Sequence, residues 1–85
     1  MMSYNEAIYK YIKYIFEKSG SSKRKFSTDH LIDESTLRNI LGKKKYQISL
    51  HTIYNICEAK RMDPSEFFSE VEKMFPEIKV KKVKL

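Results

Sequence analysis

The segment from residue 22 to residue 42 reads SKRKFSTDHLIDESTLRNILG, and it contains two helix signals separated by only a few residues. Ser22 is a good N-cap, and Phe26 is the main apolar anchor of the short helix that follows it. That helix cannot run far, because Asp33 provides a second N-cap and Glu34 adds negative charge to a new first turn. The second helix is predicted to bury Leu37, Ile40 and Leu41 and to end at Gly42. The segment therefore predicts two short helices joined by a tight turn.

A longer helix is predicted before this pair. Ser3 is its N-cap, with Glu6 at the capping-box spacing, and Gly20 is its C-terminal stop. The apolar stripe of this helix is predicted to consist of Ile8, Tyr11, Ile12, Ile15 and Phe16. We expect Tyr4, Tyr9 and Tyr14 to be exposed, where they would be available to a partner.

Two more helices are predicted after the pair. The first is capped by Ser49 and is expected to turn Leu50, Ile53, Ile56 and Cys57 inward. The second starts with an N-cap, a first-turn proline and a third-position glutamate, at Asp63, Pro64 and Glu66. Its apolar positions are Phe67, Phe68, Val71, Met74 and Phe75, and Pro76 ends it.

Five short helices in this order predict an all-α, five-helix bundle of the helix-turn-helix type over residues 1–76. A basic tail follows at 77–85. Its alternation at 78–81 indicates a short C-terminal strand, although a disordered tail remains an alternative. Such a strand would bury apolar side chains across a two-fold axis, so a homodimer is expected. The apolar side chains available for this are Phe75, Ile78, Val80 and Val83.

Length and composition fit one small globular domain. The chain has 85 residues and only two Gly and two Pro, which favours helices over many short strands. Its single cysteine, Cys57, allows no internal disulfide, as expected in a reducing cytosol. No stretch approaches the length of an apolar membrane span, and we expect a cytoplasmic protein with no membrane partner.

The formal charge of +6 is unevenly distributed along the chain. Residues 20–45 carry seven Lys or Arg against three acids, and residues 76–85 carry four Lys against one Glu. Residues 46–75 carry three against five. Such a concentration of positive charge is typical of proteins with an anionic partner, most often nucleic acid, although it also occurs on simple solvated surfaces.

The order of these fragments resembles the Cro/phage-repressor family, also called the xenobiotic-response-element type, over about residues 4 to 68. The resemblance is carried by residues 22–27, by 32–40 and by 50–59 with the helix start at 63–68. In that family the third helix enters the major groove of DNA, and the second helix touches the backbone with its N-terminus. The resemblance therefore implies a sequence-specific, repressor-like transcription regulator that binds double-stranded DNA and has neither cofactor nor catalytic activity.

Carried over by position, the resemblance implies base contacts by Glu34, Ser35, Asn39 and Arg38. Asn39 would pair with adenine and Glu34 would accept from a cytosine amino group, whereas Arg38 would reach guanine or phosphate. The implied backbone contacts are Ser22, Lys23, Thr36, Lys43, Lys44 and Lys45, which set the register without reading sequence.

The turn before the third helix departs from the family pattern, and an acidic pair that follows it argues against DNA binding. Leu31 stands in the turn where the family usually has Gly in a left-handed conformation, so we expect the turn to be reshaped. The acidic pair Asp33 and Glu34 lies where phosphates would repel it. Asp33 is explained as an N-cap, whereas Glu34 either reads cytosine or weakens DNA binding.

Other functions are less well supported by the sequence. His30, His51 and Cys57 do not have the paired spacing of a zinc site, and no metal or catalytic site is predicted. The main alternative is a protein-interaction module, such as an antitoxin-like bundle that binds a toxin or other protein and has little affinity for DNA. A peripheral membrane role is disfavoured, because the tail alternates with the period of a strand and not of a helix.

Overall fold

A computed structural model describes residues 3–42 and 47–78 of the chain. Over these ranges the protein is all-helical, as predicted. The elements are α1 (Tyr4–Ser19), α2 (Lys23–Asp29), α3 (Glu34–Gly42), α4 (Leu50–Lys60), α5 (Pro64–Met74) and a short 3₁₀ turn (Pro76–Ile78). No helix within the described ranges has the length and apolar character needed to cross a bilayer.

Local capping signals in the sequence set the starts of the helices. The hydroxyl oxygens of Ser3, Ser22 and Ser49 each accept a hydrogen bond from the backbone N–H three residues on, at 3.1 Å. At the start of α5 the Glu66 carboxylate accepts from the Asp63 N–H at 3.4 Å. These bonds satisfy N–H groups that have no partner within a helix, which is why the predicted starts are confirmed.

All five helices contribute to one core. The largest side chains that are almost completely buried are Ile12, Phe26, Leu37, Ile56, Phe67 and Val71. Edge-to-face ring contacts join α1 to α5 and to α2, with Tyr11 on Phe67 at 5.2 Å and Phe16 on Phe26 at 5.3 Å between centroids. Each such aromatic side chain stabilises the fold by about 1.5–3 kcal/mol through burial. Thus α2 and α3 pack into the same core as the other three helices.

Two predictions about burial are wrong. Tyr9 is buried, because α1 packs against α2, α3 and α5 and therefore needs an inward face wider than one stripe. Leu50 is 56% exposed, and Thr52 is buried in its place. The inward face of α4 is centred between Ile53 and Ile56, and Leu50 lies about a quarter turn away from that centre.

The C-terminal strand predicted from Ile78 is also wrong at that residue. Ile78 ends a 3₁₀ turn, donates its N–H to the Phe75 carbonyl at 3.1 Å and is only 7% exposed. Its side chain joins the core of its own chain and is not available to a partner subunit. The bundle thus extends two residues beyond the predicted boundary at 76. Val80, Val83 and the rest of the predicted tail lie outside the described residues.

Candidate nucleic-acid interface

The turn between α2 and α3 has the backbone that the resemblance requires, although the glycine is missing. Leu31 has φ 58°, in the left-handed region. Its N–H donates to the Thr28 carbonyl at 3.3 Å, and the Ile32 N–H donates to the Ser27 carbonyl at 3.0 Å. This pair of bonds is the Schellman motif that ends many helices. The expectation of a reshaped turn is therefore wrong, because Leu31 adopts the conformation despite the steric cost to its Cβ.

A contact from α4 supports this turn. The side-chain Nδ2 of Asn55 donates to the Leu31 carbonyl at 3.0 Å, across 24 positions of sequence. Sequence reasoning missed Asn55, and the signal that could have found it is a single amide at helical spacing from the buried Thr52. The bond fixes the strained residue from outside the helix-turn-helix unit and so fixes where α3 begins.

The two faces of α3 differ in chemistry. Leu37 and Ile40 are buried and attach the helix to the core, as predicted, whereas Leu41 is only half-buried. The predicted base-contacting residues Glu34, Ser35 and Arg38 are exposed, and Asn39 is half-buried. Glu34, Ser35 and Arg38 share one face by helical spacing, so the structure brings three of the four together on the outer surface.

The predicted backbone contacts lie in three places. Ser22 and Lys23 are exposed at the start of α2, where the Ser22 oxygen accepts a hydrogen bond from the Lys25 N–H. Thr36 is half-buried on α3. The remaining contacts, Lys43, Lys44 and Lys45, lie outside the described residues.

Arg24 adds a cation that the sequence-based prediction left out. Lys25 forms an exposed ion pair with Asp29 at 3.1 Å, which occupies one of the three cations of α2. Within the described ranges Lys23 and Arg24 have no ion-pair partner, and both are exposed. The first turn of α2 therefore presents two exposed positive charges beside the Ser22 hydroxyl, with no ion pair to either of them among residues 3–42 and 47–78.

A second helix-turn-helix unit, formed by α4 and α5, repeats this backbone. Arg61 has φ 53° and donates its N–H to the Glu58 carbonyl at 3.2 Å, while the Met62 N–H donates to the Cys57 carbonyl at 3.0 Å. In both units the next helix starts three residues after the left-handed one, behind an aspartate. The two units differ in charge. Residues 49–74 carry three cations and five acids, whereas residues 20–45 carry seven cations and three acids.

The residues considered for metal or catalytic chemistry are dispersed. In the described part of the chain no group of three or more His, Cys, Asp or Glu side chains could hold a metal ion. Cys57 is buried, and burial, with a smaller contribution from Asp63, raises the pKa of its thiol. A neutral, buried thiol is a poor nucleophile. His30 contacts Phe26, whereas His51 is exposed on α4.

Comparisons with protein-family models, with curated proteins and with solved structures find no match for this chain. The function therefore has to be inferred from the geometry of α2 and α3 and from their charge.

Proposed function

We propose that the protein is a repressor-like transcription regulator that binds double-stranded DNA with α3 in the major groove. The observation that carries the proposal is the polar outer face of α3, where Glu34, Ser35 and Arg38 are exposed, together with the basic first turn of α2. Leu37 and Ile40 anchor α3 to the core, and the left-handed turn at Leu31 precedes it. The major groove admits a single α-helix and presents a distinct donor and acceptor pattern for each base pair.

Each side chain of the outer face has a role that fits its chemistry. Asn39 pairs with adenine, Glu34 accepts from a cytosine amino group, and Arg38 donates to guanine or phosphate, with Ser35 beside them. Ser22, Lys23, Arg24 and Thr36 contact the phosphates of the DNA backbone. Three further cations follow α3 directly in the chain and contribute to the same contacts, namely Lys43, Lys44 and Lys45. Asn39 is half-buried, so it contacts a base only if its side-chain amide extends beyond the exposed first turn of α3. Substitution of Asn39 is therefore the most stringent test of the proposed base contacts.

The acidic start of α3 sets a condition on the proposal. Asp33 and Glu34 repel phosphates, so the cations of α2 and of residues 43–45 must outweigh them. Over residues 20–45 the cations exceed the acids by seven to three, which satisfies this condition.

A homodimer on two half-sites about one helical turn apart would double the readable sequence. Selection of bound duplexes from a random pool tests binding and symmetry together. We expect a short motif repeated as an inverted pair, and an affinity that falls roughly 10³-fold between 50 and 200 mM salt. A pool that never enriches, at low salt as well as high, contradicts the proposal.

Asn39→Ala tests the base contact. It is expected to weaken the selected duplex by about 1–3 kcal/mol and to leave random duplexes nearly unaffected. Ser69→Ala, an exposed change on α5, is the matched control. Equal losses on selected and random duplexes would remove Asn39 from the reading face.

A second candidate function is a protein-interaction module of the antitoxin-like kind. It is favoured by Leu50 and Tyr54, which lie one turn apart on α4 and are 56% and 50% exposed. Exposed apolar pairs of this type are common at protein interfaces. This candidate predicts no duplex binding at any salt concentration, so the selection experiment separates the two.

A further inference from the structure

A cleft of about 350 Å³ lies apart from the outer face of α3, where the C-terminal ends of α1, α2 and α4 meet. It is lined by Tyr14, Ile15, Lys18, Ser19, His30 and Lys60. Its volume is at the small end of the range for ligand pockets. Neither the DNA-binding proposal nor the packing of the core uses this cleft.

The charges that line the cleft have one sign. Lys18 and Lys60 border it, and none of its described lining residues carries a carboxylate. In the described part of the chain neither ammonium group has an ion-pair partner, and the Lys18 Nζ lies 5.7 Å from the centroid of the Tyr14 ring. Cations at helix C-termini also stabilise the helix dipoles, which explains why lysines stand there. Two such cations around one cleft create a positive potential that an anion would relieve.

The remaining lining is apolar or aromatic. Tyr14 is 41% exposed and Ile15 is half-buried, so their side chains offer apolar surface to a ligand. The His30 ring stacks on Phe26 with 3.8 Å between centroids. Its Nδ1 lies 2.8 Å from the Phe26 carbonyl, which only accepts, so Nδ1 is the donor and Nε2 is the ring's remaining polar atom.

We propose that this cleft binds a small organic anion with a flat apolar body, such as an aromatic carboxylate, between Lys18 and Lys60. The two ammonium groups hold the carboxylate, while Tyr14 and Ile15 contact the body. The binding site is independent of the DNA-binding proposal, because no residue assigned to DNA lines it.

The test is a titration of the full ¹⁵N-labelled chain with 1-naphthoate, followed by amide chemical shifts. We expect saturable shifts confined to residues 14–20, 30–32 and 58–61, with a dissociation constant on the order of 1 mM for a ligand of this size. The neutral analogue 1-naphthalenemethanol is expected to bind at least about threefold more weakly, because it lacks the charge. Shifts that are scattered or do not saturate, or equal binding of the neutral analogue, overturn the proposal.

Variants assign the effect to the cleft. Lys60→Met keeps an unbranched side chain that is one atom shorter but removes its charge, and is expected to weaken 1-naphthoate binding by about threefold or more. Lys73→Met, on an α5 lysine that pairs with Glu70, is the matched control and is expected to bind like the unchanged protein. Equal affinities of the two variants, with both folded by circular dichroism, overturn the proposal. No DNA is present, so failure here is distinct from failure to bind a duplex.

Discussion

The α2–α3 and α4–α5 units share one turn geometry but differ in the charge that they carry. Each has a non-glycine residue in the left-handed region, Leu31 and Arg61, with matching bonds back to the preceding helix. The acidic α5 face is unsuited to a polyanion, whereas α2 and the segment after α3 are basic. The turn geometry alone therefore does not identify a DNA-binding unit. The charge of the exposed helix face has to be considered with it.

The largest loss of stability is expected from changes in the core that both units share. Phe26→Ala and Phe67→Ala should each lower the free energy of unfolding by about 3–5 kcal/mol, because each empties a fully buried site. Chemical denaturation followed by circular dichroism measures both. A loss several-fold smaller for one of them would mean that the two units do not share one core.

The second-largest effect, on DNA affinity, is expected from changes to the charges that distinguish the two units. Lys23→Gln with Arg24→Gln should weaken all duplexes alike and flatten the dependence of log affinity on log salt by about one to two units. Lys73→Gln, in the acidic unit, should leave this slope unchanged. Fluorescence anisotropy with a labelled duplex at several salt concentrations gives the slopes, and equal slopes for all variants would contradict the charge argument.

A smaller loss of stability is expected when the side-chain contact to the α2–α3 turn is removed, a contact with no counterpart at the α4–α5 turn in the described part of the chain. Asn55→Ala removes the donor to the Leu31 carbonyl and should cost about 0.5–1.5 kcal/mol of stability. It should also weaken the selected duplex, since the start of α3 loses its support. Glu58→Ala, one turn further along α4 and exposed, is the control. Unchanged stability would mean that water replaces the amide without cost.

The smallest effect concerns the strained residues themselves. Leu31→Gly and Arg61→Gly should each raise the free energy of unfolding by about 0.5 kcal/mol, because relief of left-handed strain exceeds the added freedom of the unfolded chain. Thermal unfolding should show midpoints a few degrees higher for both variants. A loss of stability in Leu31→Gly alone would show that its side chain contributes packing that Arg61 does not.

Much of the local structure could be predicted from the sequence. Ser3, Ser22, Ser49 and Asp63 mark the helix starts, because N-capping depends on residues within three positions along the chain. The apolar anchors Phe26, Leu37 and Ile56 follow from helical periodicity. The errors at Tyr9, Leu50 and Ile78 arise where a side chain's burial depends on a distant helix.

The candidate site also has features that could be predicted from the sequence and features that could not. The exposed positions of Glu34, Ser35 and Arg38 follow from the spacing of Leu37 and Ile40 around one helix. The partner of the Asn55 amide could not be predicted, because it lies 24 positions away in the sequence. Thus the sequence by itself determined the helices, their starts and the distribution of charge, all of which depend on neighbours along the chain. Only the tertiary structure decided that Asn55 supports the Leu31 carbonyl and that Lys18 and Lys60 line one cleft, because both require contacts between helices far apart in sequence.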